Sequence, residues 1–268
     1  MQMHTGVYWS AGPGRRKNQD SLCLQHVSLH RGECLLAVVC DGIGSLEHSE
    51  DAGGLVISRL TDWFYQEGKK LIFQKASKEQ ILLALQRQVF NIQELLRRLQ
   101  QTEDIQTGTT CSGILIIRNR YYLIHIGDSR IYRIREKKIP FLKQSYQVKC
   151  LTMDDHDQKG HLAKALGLAG TDRAVFETGK LRKRTGFLVS TDGFYRKNTE
   201  AEIGRMLGGL LKTCIGQRKR GWPGQQLLSQ QGTGRCGQQL ERRLELLGKN
   251  GAMRGSRDDM AAIGILVE

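Results

Sequence analysis

Proline, aromatic and acidic residues are all scarce in this chain. Only 3 of its 268 residues are proline, against 31 glycines, so its turns fall to glycine and short polar residues. Aromatic side chains make up 6% and do not interleave with the basic clusters, so no platform for stacking bases is visible and nucleic acid is not an expected partner. No run of eighteen apolar residues occurs, which argues against a membrane span. The first residues, MQMHTGVYWS, lack a basic segment followed by an apolar stretch, so no secretory leader is expected and a cytoplasmic location follows by default. The cysteines, Cys23, Cys34, Cys40, Cys111, Cys150, Cys214 and Cys236, are odd in number and no two are spaced Cys-x-x-Cys. Several sit in apolar runs, where a free thiol behaves as a small hydrophobe, so neither a zinc site nor a disulfide framework is expected.

What is present in excess is positive charge. Lysine and arginine number 41 against 27 acids, a formal net charge of +14, and such a field favours anionic partners. The cations stand in short, separated clusters: Arg15-Arg16-Lys17, Arg97-Arg98, Arg182-Lys183-Arg184 and Arg218-Lys219-Arg220. A chain of this length can bury a sizeable core as one large domain.

The most informative stretch is Leu35–Gly44, LLAVVCDGIG, an apolar run that stops at Asp41-Gly42 and reads as a buried strand ending in a turn. Before it, residues 5–10 and 21–27 read as strands around the loop AGPGRRKNQD, which presents Arg15 shortly before Asp20. After it comes a helical segment near 55–68. Ser77 then caps a long helix with Gln80 at the capping-box position, and Ile81, Leu85, Val89, Ile92, Leu96 and Leu99 form its apolar stripe. From Gly108 the period becomes that of strands. GTTCSGILII, YYLIHI and RIYRI are expected to form a three-stranded antiparallel meander, with Asp128 in the turn before the third. Residues 136–186 are polar, with LTMDDHDQKGHLAKALG in the middle and RKRTG at the end. Phe187–Thr191 then repeats the strand-then-Asp-Gly pattern at Asp192-Gly193, and Asn198 is expected to cap the next helix. The stretch 213–237 is basic, Gly/Gln-rich and of low periodicity, which predicts a surface excursion, with a short helix over 238–249. Asp258 and Asp259 precede a terminal strand.

Asp-Gly and Asp-Ser are common turns, and each of these acids taken singly is compatible with a plain turn. Together, Asp41, Asp128, Asp192 and Asp258 at strand ends, with Asp20 at a strand start, make a different case. Carboxylates brought to one rim of a sheet repel one another unless cations neutralise them. Oxygen donors without histidine or cysteine select hard ions, Mg²⁺ or Mn²⁺. A pair of such ions suits phosphoryl transfer to water, and an arginine placed like Arg15 suits the non-reacting phosphate oxygens.

The ordered set RRKNQD, CDGIG, GTT, IHIGDSRIYRI, AKALG, STDGF and RDDMAAIGI resembles the PPM-type (type 2C-like) metal-dependent Ser/Thr protein phosphatases, particularly their bacterial single-domain members. The resemblance implies an α+β fold, a four-layer α/β/β/α sandwich with two central antiparallel sheets, and a single phosphatase domain over 1–268 that matches poorly at 213–237. It implies hydrolysis of phosphoserine and phosphothreonine by metal-activated water, with two Mn²⁺ or Mg²⁺ ions and a weaker third. Asp41 matches the bridging metal ligand, the Gly42 carbonyl a further ligand, and Asp192 and Asp258 the other carboxylates of the centre. Asp20 matches the acid that orients metal-bound water, Arg15 the phosphate-binding arginine, and Asp128 a ligand of the third ion. Phosphorylated proteins and a cognate Ser/Thr kinase are the implied partners. Departures from the family pattern are Gln19, Ile43, Asp259, the segment SLEHSEDAG, the few residues between LTMDD and LAKALG, and Arg196 in place of an aspartate at the third-ion site. They leave open the alternative of a catalytically weak or inactive phosphatase-fold module that binds phosphoproteins or regulates a kinase.

Overall fold

The computed structural model describes residues 1–268 except 31, 47, 138–144, 169–173 and 216–228. The chain opens with β1 (Met3–Ser10), β2 (Asp20–Leu29) and β3 (Gly32–Asp41). Helix α1 (Ser49–Trp63) passes through a π-helical turn, Phe64–Gly68, into α2 (Lys69–Phe73), and the long α3 (Lys78–Glu103) follows. Next come β4 (Cys111–Ile117), β5 (Arg120–Ile126), β6 (Arg130–Lys137), β7 (Ser145–Cys150), β8 (Val175–Lys180) and β9 (Thr185–Ser190). The short α4 (Asp192–Tyr195), then α5 (Glu200–Ile215), α6 (Ser229–Met253) and β10 (Met260–Val267) complete the chain.

The strands form two antiparallel five-stranded sheets, ordered β1-β10-β9-β6-β7 and β2-β3-β4-β5-β8. Alternation along β3 shows how they stack. Leu35, Ala37 and Val39 point into an inner core shared with Ile131, Phe187, Val189, Ile263 and Ile265 of the other sheet. Cys34, Leu36, Val38 and Cys40 point the other way, into a core closed by α1 and α3 through Val56, Leu60, Leu85, Val89, Ile92 and Leu96. Burial on both faces is why β3 reads as an uninterrupted apolar run. On the far side, α5 and α6 cover the first sheet, with Ile203, Leu207, Leu211, Leu240 and Leu244 packed on Tyr132, Ile134, Leu188 and Leu266. The result is the four-layer sandwich, helices outside and sheets inside. Among the described residues, no helix is long and apolar enough to cross a membrane.

The Ser77 capping box is present: Ser77 Oγ accepts from the Gln80 amide (3.3 Å) and Gln80 Oε1 from the Ser77 amide (2.8 Å). Three expectations are corrected, and one stretch gains structure that its polarity does not announce. The meander is split, because β5 pairs with β4 and β8 while β6 pairs with β7 and β9 in the other sheet. Gly127, at φ 109°, lets the chain step between sheets at Asp128, and a three-residue link looks the same in sequence whether it turns back or crosses over. The polar stretch 136–186 contains two strands, β7 and β8, both at sheet edges, where half-exposed residues blur the alternation. Helix α5 is capped by Thr199, whose Oγ1 accepts from the Glu202 amide (3.3 Å), while Asn198 donates to the Phe194 carbonyl. Most of the expected excursion at 213–237 lies outside the described residues, but its ends belong to α5 and α6, and α6 runs well N-terminal of the expected short helix. Gly232, Gly234 and Gly237 weaken the helical signal there.

The stripe on α3 sets a test. Leu85→Ala, at a fully buried position, is expected to lower unfolding free energy by about 2–5 kcal/mol. Leu83→Ala, two residues away and 47% exposed, is expected to change it by less than about 0.5 kcal/mol in the same denaturant titration.

Candidate active site

The site begins with a pairing that a sheet normally avoids. Asp20 opens β2 and Asp41 ends β3, and the two are register partners on adjacent strands. Like charges placed opposite each other are destabilising, and more so when water is excluded. Asp20 is 2% exposed. Burial, with Asp259, Asp192 and Asp258 adding to it, pushes its carboxyl up to about 8, against the opposing effect of a hydrogen bond from Thr191. Burial and the neighbouring Asp20, Asp192, Asp128 and Asp258 hold the Asp41 carboxyl well above the usual range. Asp192 and Asp258 are raised too, again chiefly by burial.

Local backbone bonds hold these acids in place. The Asp41 amide donates to Thr110 Oγ1 (2.9 Å), and its carbonyl accepts from the Thr110 amide (2.8 Å) and Thr109 Oγ1 (3.0 Å). The glycines that follow Asp41 and Asp192 are there because nothing larger fits. A Cβ on Gly42 would lie 2.9 Å from the Gln19 carbonyl oxygen, and one on Gly193 would lie 2.0 Å from that of Asp259. Thr191 stitches the two sheets together at this rim: its hydroxyl donates to Asp20 Oδ2 (2.7 Å) and accepts from the Ala261 amide (2.9 Å).

Two arginines supply counter-charge. Arg15 donates from Nη2 to Asp258 Oδ1, and from Nη1 to Asp259 Oδ2 and Gln19 Oε1, both at 3.0 Å. Arg196 Nη2 lies 2.9 Å from Asp192 Oδ2 and 3.6 Å from Asp128 Oδ2. Asp128 also meets His156 Nε2 at 3.3 Å. All the acids singled out in the sequence, and Arg15, therefore fall in one electrostatically connected cluster.

Sequence reasoning missed the residue that orders the arginine loop. Asp259, 3% exposed, accepts from the Gly12 amide at Oδ1 and from the Gln19 amide at Oδ2, both at 2.8 Å, besides Arg15. Its signals were adjacency to Asp258 and its departure from the family pattern, neither of which points to the arginine loop. His156 gave none, because its partner is 28 positions away and the contact needs the crossover at Gly127.

The donor chemistry fits hard divalent cations: carboxylates and a glycine carbonyl, with no thiolate among them. The buried Asp192 Oδ1 has no hydrogen-bond partner, so an acceptor there is free for an ion. Among the described residues, no three His, Cys, Asp or Glu side chains are drawn together as a closed metal cage.

The profile of the protein phosphatase 2C family matches residues 15–217. No curated protein matches the sequence. Among solved structures, the serine/threonine phosphatase of S. agalactiae is 18% identical with a TM-score of 0.70, covering 100% of both chains. The serine/threonine phosphatase Stp1 of Staphylococcus aureus is 18% identical with a TM-score of 0.71, over 100% of this chain and 96% of that one. The catalytic domain of the phosphatase PstP, solved with two manganese ions, is 20% identical with a TM-score of 0.64, over 99% and 98%. At these identities the structural likeness speaks for the fold, and the profile match speaks for descent. The chain belongs to the protein phosphatase 2C family.

Proposed function

We propose that residues 1–268 form a single phosphatase domain that hydrolyses phosphoserine and phosphothreonine in proteins, with two Mn²⁺ or Mg²⁺ ions. One observation carries the reading: acids from five separate chain segments share one rim with an arginine fork that Asp258 and Asp259 hold in place. Asp41, the Gly42 carbonyl, Asp192 and Asp258 would hold the ions, with Asp20 beside them and Asp128 toward a third. Bound there, divalent ions lower the pKa of water and offset charge on phosphate oxygens. Arg15 presents a planar fork to two phosphate oxygens, exchanging its contact with the half-exposed Asp258 for the substrate while Asp259 keeps the loop in position. Asp20 accepts from Thr191 at Oδ2, which fixes its carboxylate beside the ion site, where it is suited to orient a water. The implied partner is a Ser/Thr kinase acting on the same sites.

Arg196 favours a second reading. Its guanidinium already spans Asp192 and Asp128, so a weak or non-catalytic phosphoprotein-binding module is the alternative. Phosphate release from a phosphothreonine peptide separates the two. Turnover is expected with Mn²⁺, is lost in EDTA, and falls about a hundredfold or more in Asp41→Asn and in Asp192→Asn. Full activity in both variants, or none in the wild type with excess Mn²⁺, would remove the phosphatase reading.

Arg196 also bears on metal count. With its charge removed, Asp128 and Asp192 lose their shared counter-ion and need another. Arg196→Asp is expected to retain about one more Mn²⁺ per chain than wild type in equilibrium dialysis. Equal metal content would show that the arginine is not standing in for an ion.

A further inference from the structure

Two clefts open on either side of Arg15. One, of about 610 Å³, is lined by Arg15, Arg16, Lys17 and Gln19 with Gly44 and Glu50, and its lysine is already paired with Glu50 at 2.6 Å. The other, of about 370 Å³, is lined by Arg15, Arg196, Lys197, Arg257 and Ser256, with Asp258 as its acid. Asp258 is engaged by Arg15, and Arg196 is engaged by Asp192 and Asp128. Lys197 and Arg257 are exposed, and among the described residues neither side chain forms an ion pair or a hydrogen bond. The nearby Arg254, by contrast, is neutralised by Glu202 at 2.6 Å.

Two uncompensated cations in one concavity, sharing a wall with the phosphate-binding arginine, form a site for negative charge. We propose that this cleft receives an anionic side chain of the substrate, a carboxylate or a second phosphate, close in sequence to the phosphoresidue. The inference rests on the phosphatase reading and specifies its substrate class: phosphoproteins whose target sites lie in acidic or multiply phosphorylated sequence. Arg15 is engaged by Asp258 and Asp259, and Arg196 by Asp192 and Asp128, so selectivity for a further anion falls mainly to Lys197 and Arg257. Such rim charges act on encounter rate and on salt dependence.

The test uses the full chain with Mn²⁺ and four phosphothreonine peptides that differ only in their flanking residues: Glu, Gln, Lys or phosphoserine. The expected result is a kcat/KM about fivefold higher for the Glu or phosphoserine peptide than for the Gln peptide, shrinking as salt is raised. In Lys197→Gln/Arg257→Gln the ratio is expected to fall toward one. A gain with Glu, with phosphoserine or with both identifies which anion the cleft takes. Equal kcat/KM across the series, or a preference that survives in the double variant, overturns the proposal. If no peptide is hydrolysed, the phosphatase reading fails separately. Fluorescence anisotropy with the same labelled peptides then decides the cleft's role: tighter binding of the acidic peptides, lost in the double variant, upholds it, and uniform binding overturns it.

Discussion

Asp20 and Asp41 face each other across β2 and β3, and the arrangement of the whole rim follows from that opposition. A sheet gains nothing from two carboxylates in register with little water between them. The surroundings offset the cost in three ways. Thr191 reaches over from the other sheet to donate to Asp20. Arg15 and Arg196 place positive charge against the remaining acids. Proton affinity rises where neither suffices, as at Asp20 and Asp41. Each device is specific to this place. Such a concentration of local conflict in an otherwise consistent fold is the mark of a functional site.

The sandwich supplies the rigidity that the conflict requires. β3 is buried on both faces, and its partners carry fully buried Ile114, Leu115 and Ile116 on one side. The strand end at Asp41 therefore cannot relax away from Asp20 without disturbing two cores at once. The glycines at 42 and 193 tighten this further, since each lets backbone approach where a side chain would collide. Rigid elements bring the acids to the rim, and the loop carrying Arg15 is fixed to them by Asp259.

Much of this was legible in the sequence, and the reason is physical. A strand buried on both faces must be apolar throughout, and a carboxylate at its end stands out against that background, so Asp41 and Asp192 were visible. The capping box at Ser77 depends on only four neighbouring residues, and it too was visible. What escaped depends on partners distant in the chain. Whether β5 and β6 pair with each other or lie in different sheets is decided by the cores they join, and three residues around Asp128 carry no sign of it. Edge strands β7 and β8 pack less and so show less pattern. Thr199 and Asn198 are both good cap residues side by side, and only the reach of Glu202 selects Thr199. Asp259 reads as a duplicate of Asp258 until the 12–19 loop is folded against it.

The opposition of charge at this rim also gives the +14 surface a use that composition alone does not suggest. A cluster of acids repels a phosphorylated substrate, and an arginine bound by two of those acids has only part of its field to offer. On the proposed reading, cations held by the acids would reverse the sign at the centre, while Lys197 and Arg257 present positive charge just outside it. On that reading an approaching phosphoprotein would meet attraction before it reaches the carboxylates, and the short-range geometry of Arg15 would take over only at contact. Long-range attraction is screened by salt and indifferent to register, whereas the arginine fork is neither. On the proposed reading they fall to different residues, Lys197 and Arg257 for the first and Arg15 for the second.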